Sequence, residues 1–182
     1  NGGRATNGCL QYNSKEGYKH PHPYLPTDRF RNVRVNAAGA TIIRLGVLAK
    51  NDGHFRFSPI EYPYDSTSMY EIVLSGWANT RSVVRRYTRK DAETTKDIAV
   101  LKDQSSGEIL SEYSPFMFML SLFRNGTVQL TADGDTVPFM DFHDEDFSFQ
   151  YLSFCNWDVP AIYFFDCPFE QRGHRSCEND DD

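Results

Sequence analysis

Along most of this chain, apolar and polar residues alternate over short stretches, and no stretch has a convincing helical period. The two clearest stretches, Met69 to Ser75 and Ser82 to Tyr87, flank a Gly-Trp-Ala-Asn-Thr connection. Alternation with a period of two is typical of a strand that buries one face. The pattern therefore predicts two paired strands that are joined by a short connection carrying Trp77.

The same alternation predicts further strands, which are separated by turn sequences rich in Gly, Asn, Asp and Ser. The strongest turn is Asn125-Gly126, which favours a tight hairpin with positive φ at both residues. The strand before it, 116–124, is apolar on both faces and should be central in its sheet. About ten short strands at this spacing predict an all-β fold, an antiparallel β-sandwich or jelly roll. The other predicted strands are 30–35, 41–48, 54–57, 97–101, 127–131, 137–142, 147–155 and 161–166.

The length of 182 residues is typical of one domain, although the two ends differ in composition from the middle. Residues 1–28 are rich in Gly, Asn, Pro and His, and their prolines predict an extended N-terminal arm laid on the domain. Residues 29–170 carry the predicted strands and form the sandwich domain. Residues 171–182 form an acidic C-terminal tail.

Charge and hydropathy narrow the range of partners and compartments. The net charge of −6 makes nucleic acids and anionic membranes poor partners. No apolar run approaches the ~20 residues that a membrane-spanning helix needs. The chain begins at Asn1 without a Met, so we expect a mature form whose signal peptide was removed. A glycosylation sequon at Asn125 also supports a secreted, extracellular glycoprotein.

The four cysteines suit a secreted protein with two disulfides. None of them forms a Cys-x-x-Cys pair, which argues against a zinc site or a redox pair. Three pairings of four cysteines are possible. We favour Cys9 with Cys177, which ties the termini together, and Cys155 with Cys167, which joins neighbouring strands.

The order of motifs from about Arg29 to Pro168 resembles the farnesoic acid O-methyltransferase family, which is found widely in arthropod secreted and multidomain proteins. The chain departs from the usual family pattern at Ser75, where a Gly is common, and we expect a divergent member. The matching motifs are Asn51 to His54, Met69 to Ile72 leading into Gly76-Trp77 and Asn79-Thr80, Ser82 to Arg85, Phe116 to Phe123 with the Asn125-Gly126 hairpin, and Cys155-Asn156-Trp157.

The family name implies a methyltransferase that uses S-adenosylmethionine. The usual site for that cofactor is a Gly-rich turn between a strand and a helix of an α/β sheet. This chain has no Gly-x-Gly-x-x-Gly sequence and no alternation of strands and helices. We therefore expect no cofactor, and the β-rich pattern favours an extracellular recognition module over an enzyme.

Two kinds of side chain could bind a ligand. Trp77 and Trp157 could each stack on the apolar face of a sugar, and the amide of Asn79 could bond its hydroxyl groups. A structural role in the sandwich core and in the turn explains the same residues. Arg81 and Arg85 suit an anionic group such as a sulfated glycan, although charges on an exposed edge strand explain them equally well.

We expect a module that binds a glycan or small-molecule ligand, with no metal. The alternatives are an enzyme acting on a small organic substrate and an adhesive or structural homodimer. The acidic stretch His143 to Asp146 could hold calcium, but a polar strand connection explains it as well. For an enzyme, the candidate catalytic residues are Arg44, His54, Tyr70 and Arg85.

Overall fold

The computed structural model describes residues 2–169, which form two antiparallel β-sheets that pack face to face. The predicted all-β sandwich is therefore confirmed. Two short helical segments accompany thirteen strands. The segments are α1 (Gly2–Ala5), β1 (Leu10–Ser14), β2 (Leu25–Pro26), β3 (Arg34–Val35), β4 (Thr41–Leu48), β5 (Gly53–Ser58), β6 (Met69–Ser75), α2 (Gly76–Asn79), β7 (Arg81–Arg89), β8 (Thr95–Ser105), β9 (Phe116–Leu122), β10 (Thr127–Ala132), β11 (Met140–His143), β12 (Tyr151–Cys155) and β13 (Ala161–Phe165).

Each sheet mixes strands from distant parts of the chain. Sheet 1 has the order β1-β13-β4-β9-β10-β11, and β3 also pairs with β4. Sheet 2 has the order β2-β12-β5-β6-β7-β8. The apolar strand β9 lies between β4 and β10, in agreement with its predicted central position. The N-terminal segment, predicted as an extended arm, contributes the edge strands β1 and β2.

The core between the sheets is built largely of aromatic rings. Phe55 of β5 meets Phe118 of β9 edge to face, with ring centres 5.2 Å apart. Phe154 of β12 stacks on Tyr163 of β13 at 4.9 Å. Such offset and edge-to-face arrangements are the favoured geometries of aromatic pairs. Because these residues point inward, their neighbours along each strand point to the outer face, which is where the candidate site lies.

The hairpin at Asn125-Gly126 is present, but its predicted turn type is wrong. Only Gly126 of the pair has a positive φ, of 87°. Its amide donates to the Phe123 carbonyl at 3.1 Å, and the Phe123 amide donates to the Thr127 carbonyl at 2.9 Å. The loop is therefore a turn followed by a left-handed glycine, one residue longer than the tight primed hairpin. It leaves Asn125 exposed, as glycosylation would require.

The predicted cysteine pairing is wrong. Cys9, just before β1, forms a disulfide with Cys167, just after β13. These two strands pair in antiparallel fashion with Leu10 opposite Phe165, which brings the two cysteines together. Cys155 belongs to β12 of the other sheet, where it is buried and forms no disulfide within residues 2–169. Cys177 lies outside the described residues.

A disulfide is typical of proteins from oxidising compartments, as expected for a secreted protein. Among residues 2–169, no helix is long and apolar enough to cross a membrane.

Candidate functional site

A pocket of about 600 Å³ opens on the outer face of sheet 2, away from the core. It combines aromatic walls with a polar floor, as small-molecule sites generally do. Its lining residues come from the N-terminal segment, from β5 to β8 and their connections, and from the loop after β12. They are Tyr18, Asn51, Asp52, His54, Val73, Trp77, Ala78, Arg85, Tyr87, Thr95, Ile98, Trp157 and Asp158. We call this the tryptophan pocket.

The connection α2 holds Trp77 at the pocket in an unusual backbone conformation. Ser75, Trp77, Ala78 and Asn79 all have positive φ, between 51° and 66°. Residues other than glycine rarely adopt this region, and clusters of such residues occur preferentially at functional sites. The turn is held by the hydroxyl of Thr80, which donates to the Trp77 carbonyl at 2.7 Å. As a result, the Trp77 ring stays 48% exposed instead of joining the core.

Arg85 links this aromatic wall to the floor. Its guanidinium carbon lies 4.9 Å from the centre of the Trp77 ring, within the range of a cation–π contact. Its Nη1 donates to the hydroxyl of Tyr87 at 2.6 Å. Among residues 2–169, no carboxylate forms an ion pair with Arg85. The pocket thus presents a cation that has no anionic partner within this part of the chain.

The N-terminal segment covers the other end of the pocket with Tyr18. The Tyr18 ring lies edge-on to Trp157 at 5.3 Å and to His54 at 5.5 Å. The guanidinium groups of Arg56 and Arg89 lie 4.6 and 5.1 Å from its centre. This cover explains why polar side chains on the outer face of a sheet are nevertheless buried.

Next to Trp157, the chain is anchored by Asn156. The side-chain oxygen of Asn156 accepts hydrogen bonds from the Ser14 hydroxyl at 2.8 Å and from the Gly17 amide at 2.9 Å. These bonds tie the segment that carries Tyr18 to the loop that carries Trp157, and both aromatic residues line the pocket.

Beneath the pocket lies a buried network of charges. The strand register places Glu71 of β6 opposite Arg56 of β5 on one side and Arg85 of β7 on the other. Glu71 is fully buried, and its Oε2 accepts a hydrogen bond from Arg56 Nε at 2.7 Å. Its Oε1 lies 3.5 Å from Nδ1 of His54, whose Nε2 lies 3.7 Å from Asp52 Oδ1.

The network shifts the pKa values of its members in opposite directions. Burial alone would raise the pKa of Glu71, but the charge of Arg56 and the contact with His54 outweigh it and hold that pKa well below its usual range. Burial alone would lower the pKa of His54, but Glu71 and Asp52 outweigh it and raise that pKa. Both shifts favour the charged form of the group, so the carboxylate of Glu71 and the imidazolium of His54 stabilise each other.

Cys155 of β12 borders the same network. It lies directly opposite His54 in the strand register, and burial raises the pKa of its thiol to about 12. Among the described residues, His54, Glu71 and Cys155 form a group whose potential metal-ligand atoms all lie within 4.8 Å of one another. In the acidic stretch that could have held calcium, the carboxylate of Asp144 bonds Tyr70 and Arg86.

Of the five predicted ligand residues, Trp77, Arg85 and Trp157 come together in the tryptophan pocket. The other two lie outside its lining. Arg81 forms an exposed ion pair with Asp103, with its Nη2 2.5 Å from Oδ1. Asn79 belongs to the left-handed connection, where its side-chain oxygen is buried without a partner.

The four candidate catalytic residues do not come together at one site. His54 and Arg85 reach the pocket. Tyr70 points the other way, towards the core, and its hydroxyl donates to Asp144 at 3.0 Å. Arg44 belongs to β4 of sheet 1, where it pairs with Asp133.

Sequence reasoning missed the functional interest of Glu71, Asp52 and Tyr18. A signal for Glu71 was available, since a single charge within the apolar strand Met69–Ser75 is rarely buried without a partner. Asp52 was named only as part of the family motif Asn51 to His54, with no role of its own. No pattern within the N-terminal segment indicated that Tyr18 would cover sheet 2, because that contact joins residues far apart in the sequence.

Comparison with solved structures gives resemblances at low sequence identity. A prokaryotic β-1,3-1,4-glucanase (lichenase) derived from a mouse hindgut metagenome is 10% identical, with a TM-score of 0.37 over 87% of this chain and 99% of that chain. A structure from work on endo-acting O-glycanases that initiate mucin breakdown, expressed by human gut microbiota, is 10% identical, with a TM-score of 0.40 over 87% of this chain and 90% of that chain. The binding domain of botulinum neurotoxin DC, in complex with rat synaptotagmin II, is 11% identical, with a TM-score of 0.39 over 89% of this chain and 44% of that chain. At these TM-scores the likenesses carry no argument about function.

No curated protein matches the chain. A family model does: the model described as farnesoic acid O-methyl transferase matches residues 18–169. The match begins at Tyr18, whereas the resemblance in the motifs began at about Arg29. It therefore includes the residue that covers the pocket. It extends to Phe169 and includes both tryptophans and the whole buried charge network. The chain belongs to the farnesoic acid O-methyltransferase family.

Proposed function

We propose that this domain is a secreted recognition module that binds a carbohydrate in the tryptophan pocket. One observation carries the proposal: the chain has two tryptophans, both about half exposed, and both line the same pocket. Large aromatic rings are normally buried, so two exposed rings at one concave site indicate a surface kept available for a ligand. An exposed indole face is a favourable platform for the apolar face of a sugar ring.

The remaining lining of the pocket suits a ligand with many hydroxyl groups. Asn51, Asp52 and Asp158 supply amide and carboxylate oxygens that accept hydrogen bonds from hydroxyl groups. A volume of about 600 Å³ is in the usual range for small-ligand sites and accommodates one or two sugar rings. The pocket therefore combines stacking surfaces with hydrogen-bond acceptors, the two requirements of sugar binding.

Arg85 favours an acidic sugar over a neutral one. It lines the pocket beside Trp77, and no carboxylate of residues 2–169 pairs with it. A guanidinium group binds carboxylate and sulfate groups with paired hydrogen bonds. A glycan with a carboxylate or sulfate group would supply the missing anion while one of its rings stacks on the indole.

A glycan array tests the proposal, with wild-type protein compared against Trp77→Ala. We expect wild-type binding to acidic glycans and a loss of about 2- to 10-fold in the variant, because an aromatic stacking contact contributes about 0.5–1.5 kcal/mol beyond the area that it buries. The matched control is Tyr113→Ala, which removes an aromatic ring that is 89% exposed and lies outside the pocket lining. The proposal fails if no glycan binds, or if the two variants bind equally.

A second candidate is an enzyme acting on a small organic substrate, as the family name implies. The observation that favours it is His54, held between Asp52 and Glu71 at the floor of a pocket that Arg85 also lines. A histidine with perturbed pKa in a cleft is a general candidate for acid–base chemistry. The test is an assay of methyl transfer from S-adenosylmethionine to farnesoic acid. Transfer by wild type that is lost in His54→Gln would establish this candidate. Under the recognition proposal, neither wild type nor the variant transfers the methyl group.

A further inference from the structure

His54, Glu71 and Cys155 bring together an imidazole, a carboxylate and a thiol on three adjacent strands. They belong to β5, β6 and β12, and a ligand atom of each lies within 4.8 Å of the other two. All three side chains are buried, and His54 also lines the pocket. We propose that these residues form a zinc site at the floor of the tryptophan pocket.

The spacing suits zinc. With bonds of about 2.0–2.3 Å in a tetrahedral arrangement, neighbouring ligand atoms lie about 3.3–3.7 Å apart. The distance of 3.5 Å between His54 Nδ1 and Glu71 Oε1 already falls in that range. The ligand atoms lie within 4.8 Å of one another, so the Cys155 sulfur needs to approach by at most about 1.5 Å to complete the set. Nitrogen, oxygen and sulfur ligands together favour zinc over calcium or magnesium, which prefer oxygen alone.

The hydrogen bonding of the cluster is incomplete without an ion. Both ring nitrogens of His54 are buried and face carboxylates, Glu71 Oε1 at 3.5 Å and Asp52 Oδ1 at 3.7 Å, but within residues 2–169 neither nitrogen makes a hydrogen bond of normal geometry. A buried polar group of this kind requires a physical explanation. A zinc–nitrogen bond would satisfy one nitrogen, and the other faces the carboxylate of Asp52 at 3.7 Å.

Neighbouring residues orient the proposed ligands as in known metal sites. A ligating histidine commonly directs its second nitrogen to a carboxylate, the position that Asp52 holds here. Arg56 binds Oε2 of Glu71 at 2.7 Å and leaves Oε1 directed towards His54. Both ligands are thus held by fixed partners before an ion arrives.

The charge of the ion is also accommodated. Binding displaces the thiol proton of Cys155 to solvent and leaves a thiolate, which zinc stabilises, and it also releases the proton from the ring nitrogen of His54 that takes the ion. The thiolate and Glu71 together balance the two positive charges of the ion, while Arg56 stays bonded to Oε2 of Glu71. Three protein ligands leave a fourth position for water.

The test uses tag-free protein of all 182 residues that has been stripped with a chelator, returned to chelator-free buffer and incubated with zinc. We expect wild type to retain one zinc ion per chain after gel filtration and to gain thermal stability from it. With cobalt(II) in place of zinc, we expect a thiolate-to-cobalt absorption band in the near ultraviolet. Cys155→Ser should lose the band and bind zinc about 100-fold more weakly or worse.

His20→Gln is the control. The ring centres of the exposed His20 and of His22 lie 4.8 Å apart, so this pair is the alternative place for an ion to bind. The control variant should keep both the band and the zinc. The proposal is overturned if wild type retains no more zinc than Cys155→Ser, or if the cobalt band survives in that variant. If circular dichroism shows that Cys155→Ser does not fold, His54→Gln takes its place with the same measurements and the same criteria.

Discussion

The guanidinium of Arg85 lies 4.9 Å from the centre of the Trp77 ring and donates through Nη1 to Tyr87 at 2.6 Å. This contact joins the exposed aromatic wall of the pocket to its buried floor. It also means that the side chain is already positioned by two partners before a ligand binds, which reduces the entropy that binding must overcome. Under the proposed function, Arg85 is the residue that recognises the acidic group of the ligand.

Replacing Arg85 with Gln should weaken binding of acidic glycans by about 10- to 100-fold, because hydrogen bonds to a charged group contribute roughly 1.5–3 kcal/mol. Neutral glycans should lose much less. Isothermal titration calorimetry at low and high salt measures both effects. The matched control is Arg81→Gln, since Arg81 pairs with Asp103 outside the pocket lining. Equal losses in the two variants would contradict the role given to Arg85.

Glu71→Gln should lower the free energy of unfolding by about 3 kcal/mol, because it leaves the buried charge of Arg56 without its partner. The substitution keeps the size of the side chain, so the loss reports the charge. Urea denaturation measures it. Asp103→Asn breaks the exposed pair with Arg81 and should cost under about 1 kcal/mol. A loss for Glu71→Gln as small as that of the control would show that the buried pair contributes little.

The disulfide between Cys9 and Cys167 should contribute strongly to stability, because it joins residues 158 positions apart. In the chain-entropy model a loop of this length corresponds to about 5 kcal/mol, and measured effects are usually about 2–5 kcal/mol. The double variant Cys9→Ala/Cys167→Ala should show this loss in denaturant. Peptide mapping of unreduced protein should find Cys9 linked to Cys167, also in Cys177→Ala. A peptide that links Cys9 to Cys177 would contradict the structure.

Lowering the pH below about 6.5 should destabilise the protein through His22. Burial has the largest effect on the pKa of His22 and lowers it, although the bond to the Gly17 carbonyl acts to raise it. The nearby charges of His20 and Arg56 also lower this pKa, and Glu16 raises it. Its Nδ1 also lies 2.7 Å from the Tyr12 hydroxyl. The unfolded chain, with a histidine pKa near ~6.5, then binds a proton that the folded chain resists, so stability falls as the pH falls.

The variant His22→Gln should therefore show a shallower decline in unfolding free energy between about pH 7 and pH 5 than wild type. His143→Gln is the control, because His143 is exposed and lies in β11 of sheet 1, in a different part of the chain from His22. Identical slopes for wild type and His22→Gln would exclude a contribution from His22.

The fold could be predicted from sequence because it depends on local alternation. The strands Thr41–Leu48 and Met69–Ser75 begin and end where the pattern predicts. The site depends instead on contacts between distant segments. Tyr18 reaches Arg56 across the outer face of sheet 2, and no local pattern records that contact.

Two other features were hidden for related reasons. The left-handed backbone at Trp77 and Ala78 occurs at residues other than glycine, which the sequence does not indicate. The connection was therefore predicted only as a short link. The cysteine pairing follows from the neighbouring positions of β1 and β13, which become known only with the order of strands in sheet 1.

The most direct test of sugar binding uses the two tryptophans themselves. Because Trp77 and Trp157 are the chain's two tryptophans and both line the pocket, a ¹⁵N-labelled sample gives two indole N–H signals that report on that site. Titration with an acidic glycan that binds on the array should shift both signals with a single dissociation constant. A glycan that binds while both indole signals stay unchanged would place its site elsewhere and contradict the account.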